Sequence, residues 1–502
     1  MRMLPLHHQS LSLVISFCLS ITFVASFAVS QVQATESKKP NILLISIDDL
    51  NDWVGFMDGN HQTRTPNMDN FADKAMVFEN AHCPAPLCSP SRTAVMSGIR
   101  PSTSGIYNNS PHFRVSPVLK DILTMPEYFA KHGNYFTSAR GKIFHNDTGK
   151  FAEKKSWVNF QEMNGITMNN HKKKTKNMLV NGIPYFDRKQ GSLDWGPIDV
   201  SFEESSDAQT ALWAVSELQK NHKKPFFLAC GIYRPHLPWH VPKEFFDKFP
   251  IEDIILPGIN VNDLDDVPII GIEMSDGLKM KGDYQRIARH EKKIEAVQAY
   301  LASINYADEC VGLILDALDN SKYKDNTIVV LWGDHGWHFG EKLSYRKSKL
   351  WEESTRVPLV ISVPGITEQG SRSKRTVNLI DIYPTLIDLC DLPRNKTNEG
   401  RSIAPVLKDS NIDWPYPSIT TMGYGNHAIR SEEWRYIQYK DGMEELYNKR
   451  IDPLEWSNLA SKEEYVEVKE ELKKWLPGVN NRIRMKEIGK RGQRKKIVTG
   501  LY

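Results

Sequence analysis

Residues 41–47 read NILLISI, an unbroken apolar run that stops at two adjacent carboxylates, Asp48 and Asp49. Apolar on both faces and rich in isoleucine, the run predicts a strand buried in a parallel sheet. Nearly three hundred residues later TIVVLWG repeats the pattern and ends at Asp334 and His335. The stretch before it, AVQAYLASINYADECVGLILDALDN, has helical periodicity. A helix feeding an apolar strand is the rhythm of an α/β layer fold. Near the C-terminus WRYIQYKDGMEELYN predicts two strands joined at KDG, and SKEEYVEVKEELKKWL a helix.

Ligands of open α/β sheets gather at the carboxyl ends of strands, so two strands ending in acidic and imidazole groups predict one shared site. Like charges in one pocket raise each other's pKa, so three carboxylates beside an imidazole call for a compensating cation. Oxygen-dominated ligation favours calcium or magnesium over zinc. Either pair alone reads better as a turn or a helix cap; together at matching strand ends they favour a metal.

The 502 residues carry a net charge of +3, too balanced for an evident nucleic-acid binder. The basic residues are uneven, concentrated in HKKKTK (171–176) and RIRMKEIGKRGQRKK (482–496). Such runs are solvated loops and tails, or they attract a polyanion. Residues 1–34 read as a secretory signal peptide: Arg2, the apolar run LSLVISFCLSITFVASFAV, and small residues ending at Ala34. No later run is long and apolar enough to span a bilayer, so the mature chain is expected in a periplasm or outside the cell, without a transmembrane anchor. Beyond Cys18 in this leader, Cys83, Cys88, Cys230, Cys310 and Cys390 form an odd, irregular set and no disulfide scaffold. Cys230 and Cys310 lie in apolar surroundings and read as buried small hydrophobes.

Cys88 opens CSPSR, which fits the C-x-P-x-R signature of the type I sulfatases, and the chain resembles that family from KPNILLISIDD through LWEESTRVPLVISVPG to EELYNKRIDPLEWSNLA. Within the family it is most similar to the iduronate-2-sulfatase-like branch. RGKIFHND, YRPHLPWHVPKEF and WGDHGWHFGEKLSYRKSKLWEESTRVPL correspond to three of its segments and supply Lys142, His145, His236 and Lys347. Where many relatives read GEH followed by an aromatic residue and the lysine, this chain reads GEKLSYRK. The lysine stays while the wall beside it changes, so a bacterial polysaccharide sulfatase without strict iduronate specificity is expected.

The resemblance implies an alkaline-phosphatase-like α/β domain over residues 35–400, with a mixed, mostly parallel sheet between helices. A smaller subdomain with a short antiparallel sheet and a basic tail would occupy 401–502. It implies one calcium ion held by Asp48, Asp49, Cys88, Asp334 and His335. It also implies that a formylglycine-generating or anaerobic sulfatase-maturating enzyme oxidises Cys88 to formylglycine. One hydroxyl of the hydrated aldehyde would attack sulfur, and deprotonation of the other would expel sulfate. Pro90 is expected to start a helix, leaving position 88 at its anion-favouring N-terminal end. Arg92, one turn on, would fix the modified side chain. Lys142 and Lys347 would hold the sulfate of a sulfated oligo- or polysaccharide. His236, with Lys347 as a shared candidate, would protonate the leaving alcohol, and His145 would take the proton that releases sulfate. His240, His338 and His427 receive no role; His427 and Arg430 read as part of a surface loop. A formylglycine-dependent phosphodiesterase or phosphonate monoester hydrolase, and a non-catalytic binder of sulfated glycans, are the alternatives.

Protein matured in a host with the converting machinery should carry an aldehyde at position 88 by peptide mass spectrometry. Active enzyme with only free or disulfide-bonded Cys88 would refute this. Cys88→Ser should fold normally, by circular dichroism, and show no turnover.

Overall fold

The computed structural model describes residues 39–145, 152–163, 179–184, 193–280 and 282–483. The leader, the 171–176 basic run and the tail beyond 483 lie outside the described residues. The eight-stranded sheet contains β1 (Asn41–Ile47), β2 (Met76–Phe78), β3 (Phe136–Gly141), β4 (Asn159–Gln161), β5 (Phe226–Ile232), β6 (Thr327–Gly333), β7 (Leu359–Ser362) and β8 (Arg372–Ser373). Their order is β8-β2-β7-β6-β1-β5-β3-β4. All run parallel except β7, which is antiparallel to β6 and β2.

The apolar run of β1 has no polar face because both of its faces are covered. Leu43, Ile45 and Ile47 feed one core and Ile42 and Leu44 the other. Burying each such side chain contributes about 1.5–3 kcal/mol. The first core is closed by α2 (Ser206–Leu218) and the 27-residue α3 (Lys293–Asp319). The second is closed by α1 (Cys88–Ser97) and by the helices Met125–Gly133 and Ile382–Leu389. Cys230 and Cys310 are buried in the first core, and all five described cysteines are free.

The antiparallel sheet near the C-terminus contains β9 (Ser418–Thr421), β10 (His427–Arg430), β11 (Trp434–Gln438) and β12 (Glu444–Asn448), each paired with the next. The KDG turn lies where the pattern placed it. The helix Val466–Lys473 packs on one face of this sheet through Leu472. The other face packs Ile437 and Tyr447 against Leu350 and Trp351. The expected surface loop is thereby corrected: His427 to Arg430 are a buried strand, and only the preceding Met422–Asn426 segment turns. Arg430 is spent on Glu352, at 3.1 Å. Among the described residues no helix is long and apolar enough to cross a membrane.

Parallel pairing sets Ile47 opposite Gly333 and Gly141 opposite Gly231. The strand ends carrying Asp48, Asp334 and Lys142 therefore emerge side by side. At the second pair only glycine fits: Gly141 has φ +80°, and a Cβ on Gly231 would lie 2.2 Å from the Lys142 nitrogen. Gly231→Ala should destabilise the protein by at least about 2 kcal/mol through this backbone clash, read by denaturant unfolding, and lower activity by displacing Lys142. Unchanged stability would show that the strand ends separate freely.

Candidate active site

Cys88 is the first residue of α1, with Leu87 as its N-cap. The helix starts two residues before the expected Pro90, which sits instead within the first turn, where a missing N–H costs nothing. Position 88 is still at the N-terminal end. Its Sγ lies 3.0 Å from Lys347 Nζ, 3.3 Å from His335 Nε2 and 3.8 Å from Asp49 Oδ1. Burial pushes the thiol pKa up and Asp48 adds to this, but Lys142, Lys347 and His335 more than offset both.

Arg92, expected to fix the modified side chain at position 88, is engaged by carboxylates beside the unmodified Cys88. Its guanidinium donates to Asp334 Oδ2 at 2.8 Å and Asp48 Oδ1 at 3.2 Å, bridging the ends of β6 and β1. It also donates to Ser46 Oγ and to the Lys142 and Ile143 carbonyls. All three charged side chains are fully buried. The second Asp334 oxygen accepts the Asp49 backbone N–H at 3.0 Å. Asp49 takes a left-handed φ of +62° there, a conformation aspartate tolerates better than most residues. Its carbonyl accepts the Tyr300 hydroxyl at 2.7 Å.

Lys142 pairs with Asp48 Oδ2, and Lys347 with Asp49 Oδ1. Burial pushes Asp48 up, yet Lys142 and Arg92 hold it well below the ordinary carboxylate range. Asp49 is raised to about 7 by burial, with Asp48 and Cys88 adding to the shift against Lys347. The protein thus supplies compensating cations of its own for three carboxylates, Arg92, Lys142 and Lys347, so charge balance alone does not call for the metal that the sequence reading favoured.

The fit to a metal rests on other observations. Asp48, Asp49, Cys88 and His335 each offer a ligand atom, all within 4.8 Å of one another, and Asp49 Oδ2 is buried with no hydrogen-bond partner. His335 Nδ1 faces the Gly336 carbonyl at 3.1 Å, which in the neutral ring leaves the Nε2 lone pair toward the cluster. Asp334 Oδ2 is 3.6 Å from that nitrogen but is engaged by Arg92.

The sulfatase family profile matches residues 40–392, and a profile described as N-sulphoglucosamine sulphohydrolase, C-terminal, matches residues 333–482. The chain belongs to the sulfatase family. A sulfatase from Formosa agariphila is 39% identical over 466 residues, spanning 90% of this chain and 88% of the relative. Mouse iduronate 2-sulfatase is 30% identical, spanning 75% of this chain and 72% of the relative. The solved structure of a 2-O GAG sulfatase superposes with a TM-score of 0.67 at 22% identity, covering 88% and 91% of the two chains, which establishes the alkaline-phosphatase-like fold. This sulfatase is a sulfuric ester hydrolase of type I, a class that implies a formylglycine and a metal.

Two histidines face the same centre. His236 Nε2 is 3.8 Å from Asp49 Oδ2 and 4.0 Å from Asp48 Oδ2. His145 is held at about pKa 3 by burial and by Lys142. His240 and His338 are also buried, beside Asp194 and the Glu341 carbonyl. Sequence reasoning missed Ser46 and Ser91, whose hydroxyls donate to the Lys142 and Asp334 carbonyls, and Asn109, whose Oδ1 accepts the Ser89 N–H at 3.0 Å. Ser91 lies inside CSPSR and was within reach; nothing in the sequence marked Asn109.

Chelation should lower both turnover and melting temperature, because a ligand of the folded state stabilises it, and added divalent cation should restore both. Fully demetallated sulfatase that keeps its activity and melting point would refute the site. Asp334→Asn should cut turnover far more than Asp308→Asn, since Asp308 caps the backbone of Asn67 and Met68 away from the site.

Proposed function

We propose that this sulfatase is exported and hydrolyses sulfate esters on saccharides derived from a sulfated polysaccharide, such as an algal galactan, ulvan or a glycosaminoglycan. The carrying observation is the convergence of Lys347, His335 and Asp49 on Cys88 Sγ at a helix N-terminus. A buried side chain beside the Lys347 cation and within the field of Lys142 is placed for attack on an anionic ester and is poorly suited to a passive binder. The names of its relatives, an iduronate 2-sulfatase and a 2-O GAG sulfatase, support a sugar sulfate. Formylglycine at position 88 would supply a geminal-diol nucleophile, and calcium held by Asp48, Asp49, Asp334, His335 and residue 88 would supply Lewis acidity.

The chain's own residues divide the remaining work. Lys347, 3.0 Å from Cys88 Sγ, and Lys142, paired with Asp48, offer point charges for the sulfate oxygens. Arg92 acts through Asp48 and Asp334, keeping both carboxylates aimed. His145 is neutral, its Nδ1 buried without a partner, and the negative charge of a bound sulfate would raise its low basicity so that it accepts the proton that releases sulfate. His236 Nδ1 faces the Leu237 carbonyl, which only accepts, so a neutral His236 carries its proton there. Burial and Lys142 hold His236 well below its ordinary pKa in the free enzyme. A bound sulfate adds negative charge beside it and raises that pKa, favouring the Nε2–H needed by a leaving alcohol.

An activated aryl sulfate needs little protonation to leave. His236→Ala should therefore lose at least about tenfold more activity on a sugar sulfate than on an aryl sulfate. Equal losses on both would transfer the general-acid role to Lys347. A panel of sulfated mono- and oligosaccharides tests the substrate class, and turnover of phosphonate monoesters in preference to every sugar sulfate would overturn it.

A further inference from the structure

The last described residues fold back onto the catalytic domain. Asn481 donates its backbone N–H to the Ser102 carbonyl at 2.8 Å and its side-chain amide to the Thr103 carbonyl at 2.6 Å. Ile483 lies against Gly105, where φ is +74° and a Cβ would come within 3.1 Å of its side chain. Between these anchors the Arg482 guanidinium stacks 3.7 Å over the centre of the Tyr424 ring. Tyr424 meets Tyr107 edge to face, with ring centres 6.2 Å apart. Tyr107 in turn directs its hydroxyl to the Ser102 carbonyl that holds Asn481.

This cluster borders the site on two sides. Two residues after Tyr107, Asn109 accepts the N–H of Ser89, the neighbour of Cys88. Three residues before Tyr424, Thr421 donates its N–H to the Pro84 carbonyl, in the loop leading into α1. Gly423 and Gly425, both with positive φ, flank Tyr424 and set it at the tip of its turn. Arg482 is exposed and, among the described residues, has no carboxylate partner. The half-exposed rings and one such cation match the chemistry of an anionic sugar: the ring surface left open beside the stacked guanidinium takes the C–H surface of a pyranose, and the free edge of the guanidinium takes a sulfate or carboxylate in a two-pronged grip.

We propose that Arg482, Tyr424 and Tyr107 form a subsite for the sugar adjacent to the one desulfated, selecting a neighbour that bears an anionic group. The proposal rests on the saccharide reading above. It makes the enzyme prefer an oligosaccharide over an isolated sulfated monosaccharide, and it gives the folded-back C-terminal segment a role in specificity.

The test uses the full-length enzyme on three sulfated disaccharides, whose second sugar carries a sulfate, a carboxylate or no charge, alongside a monosaccharide sulfate. The wild type should favour one or both anionic disaccharides over the neutral one by roughly tenfold in kcat/KM, the scale of one charge-assisted contact. Arg482→Ala should remove that preference mainly through KM and leave the monosaccharide within about twofold. Tyr424→Ala should weaken all three disaccharides and spare the monosaccharide. A preference that survives Arg482→Ala, or equal losses on all four substrates, would overturn the subsite while leaving the saccharide reading intact. A wild type that turns over aryl sulfates but none of the four saccharides would overturn both.

Discussion

The bridge from Arg92 to Asp48 and Asp334 is the interaction on which the site depends. It joins the ends of two adjacent parallel strands to the helix that begins at Cys88, with all three side chains sealed from water. A buried ion pair gains little net stability over a well-packed apolar replacement, but losing one partner strands a charge and is costly. Its value here lies in aim. With Arg92 occupied, Asp48 and Asp334 keep their remaining oxygens for Lys142 and the Asp49 N–H, and Asp49 is turned into the cluster.

Around that bridge the chemistry is built from charges that correct one another. Burial raises both neighbours, yet Asp48 is depressed and Asp49 raised, because Asp48 has two full cations beside it and Asp49 is left largely with Lys347 and the like charge of Asp48. His145 and His236, in the field of the same lysines, stay neutral. Three cations and three buried carboxylates thus balance one another around Cys88, with two uncharged imidazoles beside them, a state difficult to maintain with exposed side chains.

Much of this was legible in the chain. The strand ends were readable because an apolar run that halts at paired acidic groups marks a buried strand surfacing at a polar centre, and adjacency of β1 and β6 made the two sets meet. Lys142, His145, His236 and Lys347 carry no periodicity of their own; only resemblance singled them out, and the fold then gathers them at one centre. What the chain concealed were partners distant in sequence. Helical spacing sets Arg92 one turn from Cys88 but not which carboxylates it meets 44 and 242 residues away. The strand His427–Arg430 hid because it holds just two apolar residues, its burial coming from neighbours on both sides.

Cys88 has no exposed surface, and the rest of α1 is buried with it. The pieces that enclose it come from as far along the chain as Lys347, about 260 residues later, and β1 cannot complete its pairing until β6 exists. At a synthesis rate of roughly 5–20 residues per second this leaves an interval of about 13–50 s between the appearance of residue 88 and closure around it. Any protein that must handle the cysteine side chain works within that interval, or on a chain otherwise kept unfolded. The depth that protects the finished site thus sets a deadline for making it.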